Sequence, residues 1–239
     1  MLAFFFLHIR CKVTFLSTAF TTFAPMLDTH QIQNLRKNYR LASLDEADLH
    51  SDPFVQFNKW FTQALSAELT EPNAMQLATV DKNLQPDIRT VLLKGVDNGL
   101  VFFTNYHSEK GQHLENNPKV ALHFLWLELE RQIRIQGTVE KLTDKENDTY
   151  FYSRPFESRV GAIASHQSKV LPDRTILENS FRSLLEKDAA LITRPEHWGG
   201  YRVIPNYFEF WQGRESRLHD RIVFSKELNH DWSLSRLYP

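Results

Sequence analysis

The chain has 239 residues, 42% hydrophobic and 24% charged, an ordinary globular composition with length enough for one sizeable core. A formal net charge of −1 argues against a broad nucleic-acid-binding surface. The single cysteine, Cys11, excludes a disulfide framework or a Cys-rich zinc site within one chain, and fits a reducing, cytoplasmic setting.

Residues 1–25 stand apart as an N-terminal extension. They hold Phe4, Phe5, Phe6, Leu7, Phe15, Phe20 and Phe23 and no acidic residue. No Lys or Arg precedes the apolar run, and His8, Arg10 and Lys12 interrupt it, which disfavours a secretory signal. The run is too short and broken to span a membrane. An organelle presequence is one reading; an upstream start codon with Met26 as the working start is the preferred one. Residues 26–50 are expected to form an arm, with a polar helix over Leu27–Leu41 in which Ile32, Leu35 and Tyr39 recur at helical spacing. The remaining residues, 51–239, read as one domain.

Asp52-Pro53 is a helix start, N-cap followed by a first-turn proline. Phe54, Phe57, Phe61, Leu65 and Leu69, with Trp60 beside them, predict a buried stripe. From Ala74 the period becomes two. Strands are expected over Met75–Val80, Asp87–Val96 and Leu100–Thr104, the last two joined by the hairpin signal Asp97-Asn98-Gly99. A short helix follows over Ser108–Asn116, then strands over Val120–Trp126 and Arg131–Leu142. Thr143 and Glu146 have capping-box spacing for a helix to Ser153, ended by Pro155. A further short helix is expected over Ser158–Ser165 and an amphipathic one over Asp173–Lys187. The last strands are Tyr201–Ile204, Tyr207–Gln212, Arg221–Ser225 and Trp232–Arg236. Short connections make the sheet antiparallel. The fold class is mainly β with surrounding helices, an antiparallel barrel or strongly bent sheet.

The densest chemistry lies in the stretch from Glu209 to Arg221, where Trp211, Arg214, Arg217, His219 and Arg221 occur within thirteen residues. On an extended segment Arg217, His219 and Arg221 share a face. Two guanidiniums and an imidazole beside an indole suit an anionic, planar ligand; the bland reading is an edge strand with solvated charges. There is no G-x-G-x-x-G and no P-loop motif, so side chains must meet any phosphate. Candidates are Arg89 to Lys94 and Ser108 to Lys110, the latter at a helix N-terminus. Arg89 and Lys94 are five apart, so a regular strand sends them to opposite faces unless a bulge intervenes or they serve different ligand parts. Tyr150, Arg154 and Ser158 recur every four residues and share a face if one helix runs through Pro155. The alternative puts Tyr150 in the core and pairs Arg154 with Glu157. No metal-ligand spacing and no G-x-S-x-G elbow is present.

Several ordered segments resemble the pyridoxamine 5′-phosphate oxidase family. They are Arg89-x4-Lys94, Phe103-Thr104-Asn105, Ser108-x-Lys110, Glu115-Asn-Asn-Pro118, Glu130-Arg-Gln132, Tyr150-Phe-x-Ser-Arg-Pro155, Ser165-x-Gln-Ser168 and Trp198-Gly-Gly200. Phe210-Trp-Gln-Gly213, Arg217-Leu-His-Asp-Arg221 and the closing Arg236-Leu-Tyr-Pro239 complete the set. The resemblance implies an FMN-binding split β-barrel and a homodimer with FMN at the subunit interface. It implies FMN contacts from Arg89, Thr90, Val91, Leu92, Leu93, Lys94, Phe103, Thr104, Lys110, Gln132, Gln167, Ser168, Trp211 and Arg221. It places the phosphorylated B6 substrate on Lys94, Tyr150, Arg154, Ser158, Arg217, Leu218 and His219, with Arg36 and Tyr39 on an arm over the site. Arg217 and His219 would orient the substrate for hydride transfer, with O2 as acceptor and H2O2 as product. Where the family often has Arg before the lysine of Ser-x-Lys, this chain has Glu109; unless that carboxylate turns outward, affinity for FMN falls. A non-catalytic FMN or pyridoxal-phosphate carrier is the competing reading. A deazaflavin or haem reductase on the same fold is disfavoured by the Arg-Leu-His-Asp-Arg set.

Overall fold

The computed structural model describes residues 29–35, 37–226 and 231–239. The expectations for residues 1–25 and for Arg36 lie outside these. Two compact units result, one up to Lys37 and one from Asn38 to Pro239. In the first, α1 spans Thr29–Asn34 among the described residues, so the helix expected over Leu27–Leu41 does not run on to Leu41. Ile32 and Leu35 are 52% and 80% exposed, so no buried apolar face extends this nucleus.

In the second unit, α2 (Pro53–Ser66) starts as expected, the Asp52 carboxylate accepting from Phe54 N–H at 2.9 Å. Its buried face is Gln56, Phe57, Trp60 and Ala64, rotated from the expected stripe; Leu65 is 54% exposed. Trp60 takes the inner position because its ring meets Phe210 edge-on at 5.3 Å.

The strands are β1 (Ala74–Val80), β2 (Pro86–Leu92), β3 (Gly95–Val96), β4 (Leu100–Asn105), β5 (Lys119–Trp126), β6 (Arg131–Lys141), β7 (Trp198–Gln212), β8 (Asp220–Lys226) and β9 (Trp232–Leu237). Every pair is antiparallel and the order is β2-β1-β5-β6-β7-β4-β3, with β8 on β7 and β9 on β8. β2 and β3 stand at opposite ends of that order, yet only Leu93 and Lys94 separate them. The sheet therefore curls round on itself. Leu93 N–H still donates to Asn73 O on the β1 side at 2.8 Å, while Lys94 N–H donates to Val101 O of β4 at 2.8 Å. The single strand expected over Asp87–Val96 is thus two, because the chain changes sheet edge between adjacent residues.

β7 is one 15-residue strand where two were expected. Pro205 cannot donate to a ladder, but it sits at a register shift, opposite Gly137, where pairing is already interrupted. A Cβ on Gly137 would lie 2.2 Å from Ile204 O, so the strands approach this closely only with glycine. β6 pairs β7 on both sides of this shift, β4 pairs its first half and β8 its second. Leu77, Leu122, Phe124, Ile133, Ile135, Phe208, Phe210 and Phe224 alternate onto the inner face as the core.

Two helices bracket one side, α4 (Asp144–Ser153) and α5 (Phe156–Ala164), followed by α6 (Arg174–Leu185). α4 carries the expected capping box of Thr143 and Glu146. Arg194 bonds Asp144 at 2.7 Å and Asp148 at 2.5 Å, and Arg202 of β7 bonds Glu146 at 2.7 Å. Hydrogen bonds from Thr143 and then Arg202 hold the Glu146 carboxyl at about 2, and Arg236 holds Glu46 at about 2.

Both folded values lie below the usual carboxylate range, so the stabilisation is complete above the unfolded value and is lost as pH falls towards 2. Thermal scans should show a plateau above about pH 5 and a falling Tm below it. Because Glu146 is partly solvated, Glu146→Gln should lower Tm near neutrality by only about 2 °C and shallow the acid limb; an unchanged limb would count against this account.

Candidate functional site

A cleft of about 690 Å³ opens between the β2–β4 side of the barrel and α4–α5. β2 contributes Arg89, Thr90 and Val91, and β4 contributes Phe103, Thr104 and Asn105. Lys110, Arg154, Ser158, Gly161, Ala162, Ser165, Gln167 and Trp198 complete the lining.

Helix α3 (Glu109–Asn116) is capped by Ser108, whose hydroxyl donates to Asn105 O at 2.6 Å and accepts from Gly111 N–H at 3.3 Å. This cap directs Lys110 inward, 9% exposed. Lys110 Nζ donates to Gln167 Oε1 at 3.0 Å, and the Thr104 hydroxyl donates to the same oxygen at 3.2 Å. One acceptor oxygen thus takes both donors, as an anionic oxygen would. Burial, then the nearby Arg89 guanidinium, pushes the Lys110 ammonium pKa down. Arg89 itself is tied inward: Nη1 donates to Thr79 Oγ1 at 2.6 Å and Leu77 O at 3.2 Å, and Nη2 pairs with Asp87. Glu109 is exposed in the first turn of α3, where a carboxylate suits the helix dipole.

Arg154 and Ser158 form a second group in the lining. One helix through Pro155 does not form. Arg154 is extended (φ −76°, ψ 151°) and caps α4, and α5 starts after Pro155. A residue before proline is pushed out of the helical region, and proline cannot donate. Arg154 and Ser158 nevertheless both line the cleft. Arg154 Nη1 is buried with no hydrogen-bond partner among the described residues. Tyr150 is outside the lining and stacks on Phe103, which belongs to it, with centroids 3.9 Å apart.

The cleft therefore fits a phosphorylated aromatic group: Lys110 and Thr104 supply converging donors, Arg154 an unpartnered Nη1, and Phe103 and Trp198 flat rings. Gly161 and Ala162 of α5 were not foreseen as lining; the small-residue spacing of Ser158, Gly161, Ala162 and Ser165, one helical face, was the available signal. Asn105 and Trp198 line it too, although they entered the sequence reading only as parts of motifs.

The remaining expected site residues lie elsewhere. Leu93 points into the core and Lys94 is exposed at the edge change. Leu92 is half-buried and outside the cleft lining. Ser168, at φ 69°, lines an adjoining cavity of about 520 Å³ with Gln167. Gln132, Trp211 and Arg221 are register neighbours across β6, β7 and β8. Arg221 donates to Glu209 at 2.8 Å and to Tyr238 O at 3.0 Å. Burial pushes the Glu209 carboxyl up, but bonds from Arg221 and Tyr207 outweigh it and leave it below its usual range.

The expected alternation of Arg217, His219 and Arg221 does not occur. Glu215–Arg217 is a 3-10 turn in which Ser216 and Arg217 are left-handed (φ 55° and 63°), and β8 starts only at Asp220. Two successive non-glycine residues in that region are strained, a state found chiefly at functional sites. The turn leaves Arg217 exposed and Leu218 69% exposed. His219 packs 4.6 Å from Trp211 and 5.7 Å from Tyr39. Its Nδ1 accepts from Arg214 N–H at 3.1 Å, so the neutral ring carries its proton on Nε2.

Burial, and then Arg217, lower the His219 pKa. His219 should therefore be neutral at pH 7, and nitrogen NMR should show the Nε2–H tautomer. Arg217→Ala should raise its titration midpoint; a lowered or unmoved midpoint would refute the electrostatic coupling.

Residues 61–187 match the family model described as pyridoxamine 5′-phosphate oxidase, and residues 198–239 match the pyridoxine 5′-phosphate oxidase C-terminal dimerisation region. The chain is 53% identical over 211 residues to the pyridoxine/pyridoxamine 5′-phosphate oxidase of Burkholderia thailandensis, covering 87% of this chain and 99% of that protein. It is 53% identical over 210 residues to the enzyme of the same name from a Nostoc species, covering 87% and 98%. Its fold is similar to PhzG from Burkholderia lata, solved with tetrahydrophenazine-1-carboxylic acid, at TM-score 0.78 and 30% identity, covering 85% of this chain and 100% of that one. A pyridoxamine 5′-phosphate oxidase-related, FMN-binding protein from Nostoc punctiforme shares the fold at TM-score 0.64 and 17% identity. Among the described residues no helix is long and apolar enough to cross a membrane.

Proposed function

Because the chain belongs to the pyridoxamine 5′-phosphate oxidase family, we propose that it oxidises pyridoxamine or pyridoxine 5′-phosphate to pyridoxal 5′-phosphate with bound FMN, using O2 and releasing H2O2. The observation that carries this reading is a single cleft lined by two groups of anion-binding side chains, Lys110 with Thr104 and Arg154 with Ser158. Two phosphorylated molecules, cofactor and substrate, need two such groups.

FMN, when bound, supplies the hydride acceptor. Lys110, Thr104 and the Arg89–Val91 segment would hold it, with Gln167 yielding its oxygen's place to the phosphate. Arg154 and Ser158 would grip the substrate phosphate, and Tyr150 would back the Phe103 ring that lines the cleft. The exposed Arg217 and the Nε2–H of His219 are donors for the pyridine ring and its substituents. They orient the reacting carbon, and orientation is the main contribution asked of the protein. Such a site needs no side chain as a general base when water takes the released proton.

Arg217, His219, Trp211, Arg221 and Gln132 are absent from the lining of the cleft. All but Gln132 fall in the matched dimerisation region. We infer a homodimer in which this second group completes the cleft of the other copy, so that FMN lies at the interface. Glu109, exposed as it is, would add only its backbone.

Purified protein with FMN and pyridoxamine 5′-phosphate in air should yield pyridoxal 5′-phosphate and peroxide together. FMN binding without product would support the carrier reading, and oxidation confined to a tetrahydrophenazine carboxylic acid would favour a PhzG-like activity. Arg217→Ala should lower kcat/KM about 100-fold, the scale expected for lost orientation; a near-normal value would remove Arg217 from the site. Lys110→Ala and Arg217→Ala chains, each inactive alone, should regain about a quarter of full activity when mixed as dimers, since half the dimers then carry one intact site. No recovery would refute the shared site.

A further inference from the structure

Arg154 is held in the cleft by a flat ring. Its guanidinium carbon lies 4.9 Å from the centre of the Trp198 ring, and its Nη1 is buried and unpartnered. No ion pair of Arg154 is found among the described residues. A long side chain with no ion pair would sample many rotamers, and an ordering contact removes that freedom before a ligand arrives. The indole face can do this without consuming a donor, because the attraction runs to the ring quadrupole.

Trp198 is itself fixed from several sides. It is 6% exposed. Its ring stacks on Phe103 at 5.3 Å and meets Phe151 of α4 edge-on at 5.1 Å. Its backbone carbonyl accepts from Arg194 Nη1 at 3.2 Å. The next residue admits no side chain: a Cβ on Gly199 would lie 2.2 Å from the Tyr106 hydroxyl. Gly200 N–H donates to the buried Asn147 Oδ1 at 2.8 Å. The start of β7 is thereby bolted to α4, the helix that ends at Arg154. Ring and guanidinium ride on elements that cannot shift independently.

We propose that Trp198 is a positioning residue, whose indole face presets the Arg154 guanidinium for the phosphate monoester of the substrate. This rests on the reading of the cleft's Arg154 group as a substrate-phosphate site. Trp198 touches the ligand's charge only through Arg154, so its effect should vanish when Arg154 is absent.

The test uses full-chain, FMN-loaded protein and two probes, pyridoxal 5′-phosphate and inorganic phosphate, with unphosphorylated pyridoxal as control. Trp198→Leu should weaken both phosphate-bearing probes about tenfold, the scale of a desolvated cation–π contact, and leave pyridoxal unchanged. In turnover, KM for the phosphorylated substrate should rise with kcat held. Trp198→Phe, which keeps a ring and protects against a folding failure, should restore most of the affinity. On an Arg154→Ala background, Trp198→Leu should cost nothing further. An equal loss on that background, or an equal loss for pyridoxal, would overturn the positioning role. Phosphate binding that depends on Trp198 in a protein that turns over no B6 phosphate would instead strike the substrate assignment and leave the positioning role standing.

Discussion

The structure depends on one strand at which a single curled sheet branches. β7 keeps β6 on one side and changes its other neighbour from β4 to β8 midway. The register shift at Gly137 and Pro205 lets it bend at that point. Its first half closes the barrel and sets Trp198 in the cleft. Its second half leads into the strained turn that displays Arg217. Trp198 of the cleft and the turn that carries Arg217 therefore stand at opposite ends of a single backbone segment, and the 15-residue length of that segment keeps them apart within one chain.

What was legible in the sequence was local chemistry. The Asp52-Pro53 start, the Asp97-Asn98-Gly99 turn, the Ser108 cap and the Thr143–Glu146 box each involve groups within four residues, and the structure contains all of them. Features set by distant partners were not legible. The face α2 buries is chosen by Phe210, far along the chain. The break at Leu93 and Lys94 exists because two sheet edges compete for consecutive N–H groups. Strands were expected to stop at Ile204 and resume at Tyr207, whereas the chain pairs on through Pro205, which is tolerated opposite Gly137 on another strand.

The candidate site shows the same division. Residue types pointed to phosphate and to a planar ring, and Arg154 and Ser158 line one cleft. Their alignment on one face was conditional on a helix through Pro155; the helix stops before that proline, as expected, and the two side chains reach the cleft from either side of the break. The alternation of Arg217 with Arg221 failed. Regular strand spacing was assumed across a stretch whose backbone is left-handed at Ser216 and Arg217. Strained conformations leave no periodic trace, so a functional turn is where pattern reasoning is weakest.

The burial of Lys110 has a consequence for the life of the protein rather than for its chemistry. An ammonium with a lowered pKa beside Arg89 is a cost carried by the folded chain whenever no anion sits between the two cations. A bound dianion removes that cost only in the folded state, so ligand supply and folding are linked. Newly made chains in a cell short of the ligand would fold less completely and meet proteases more often.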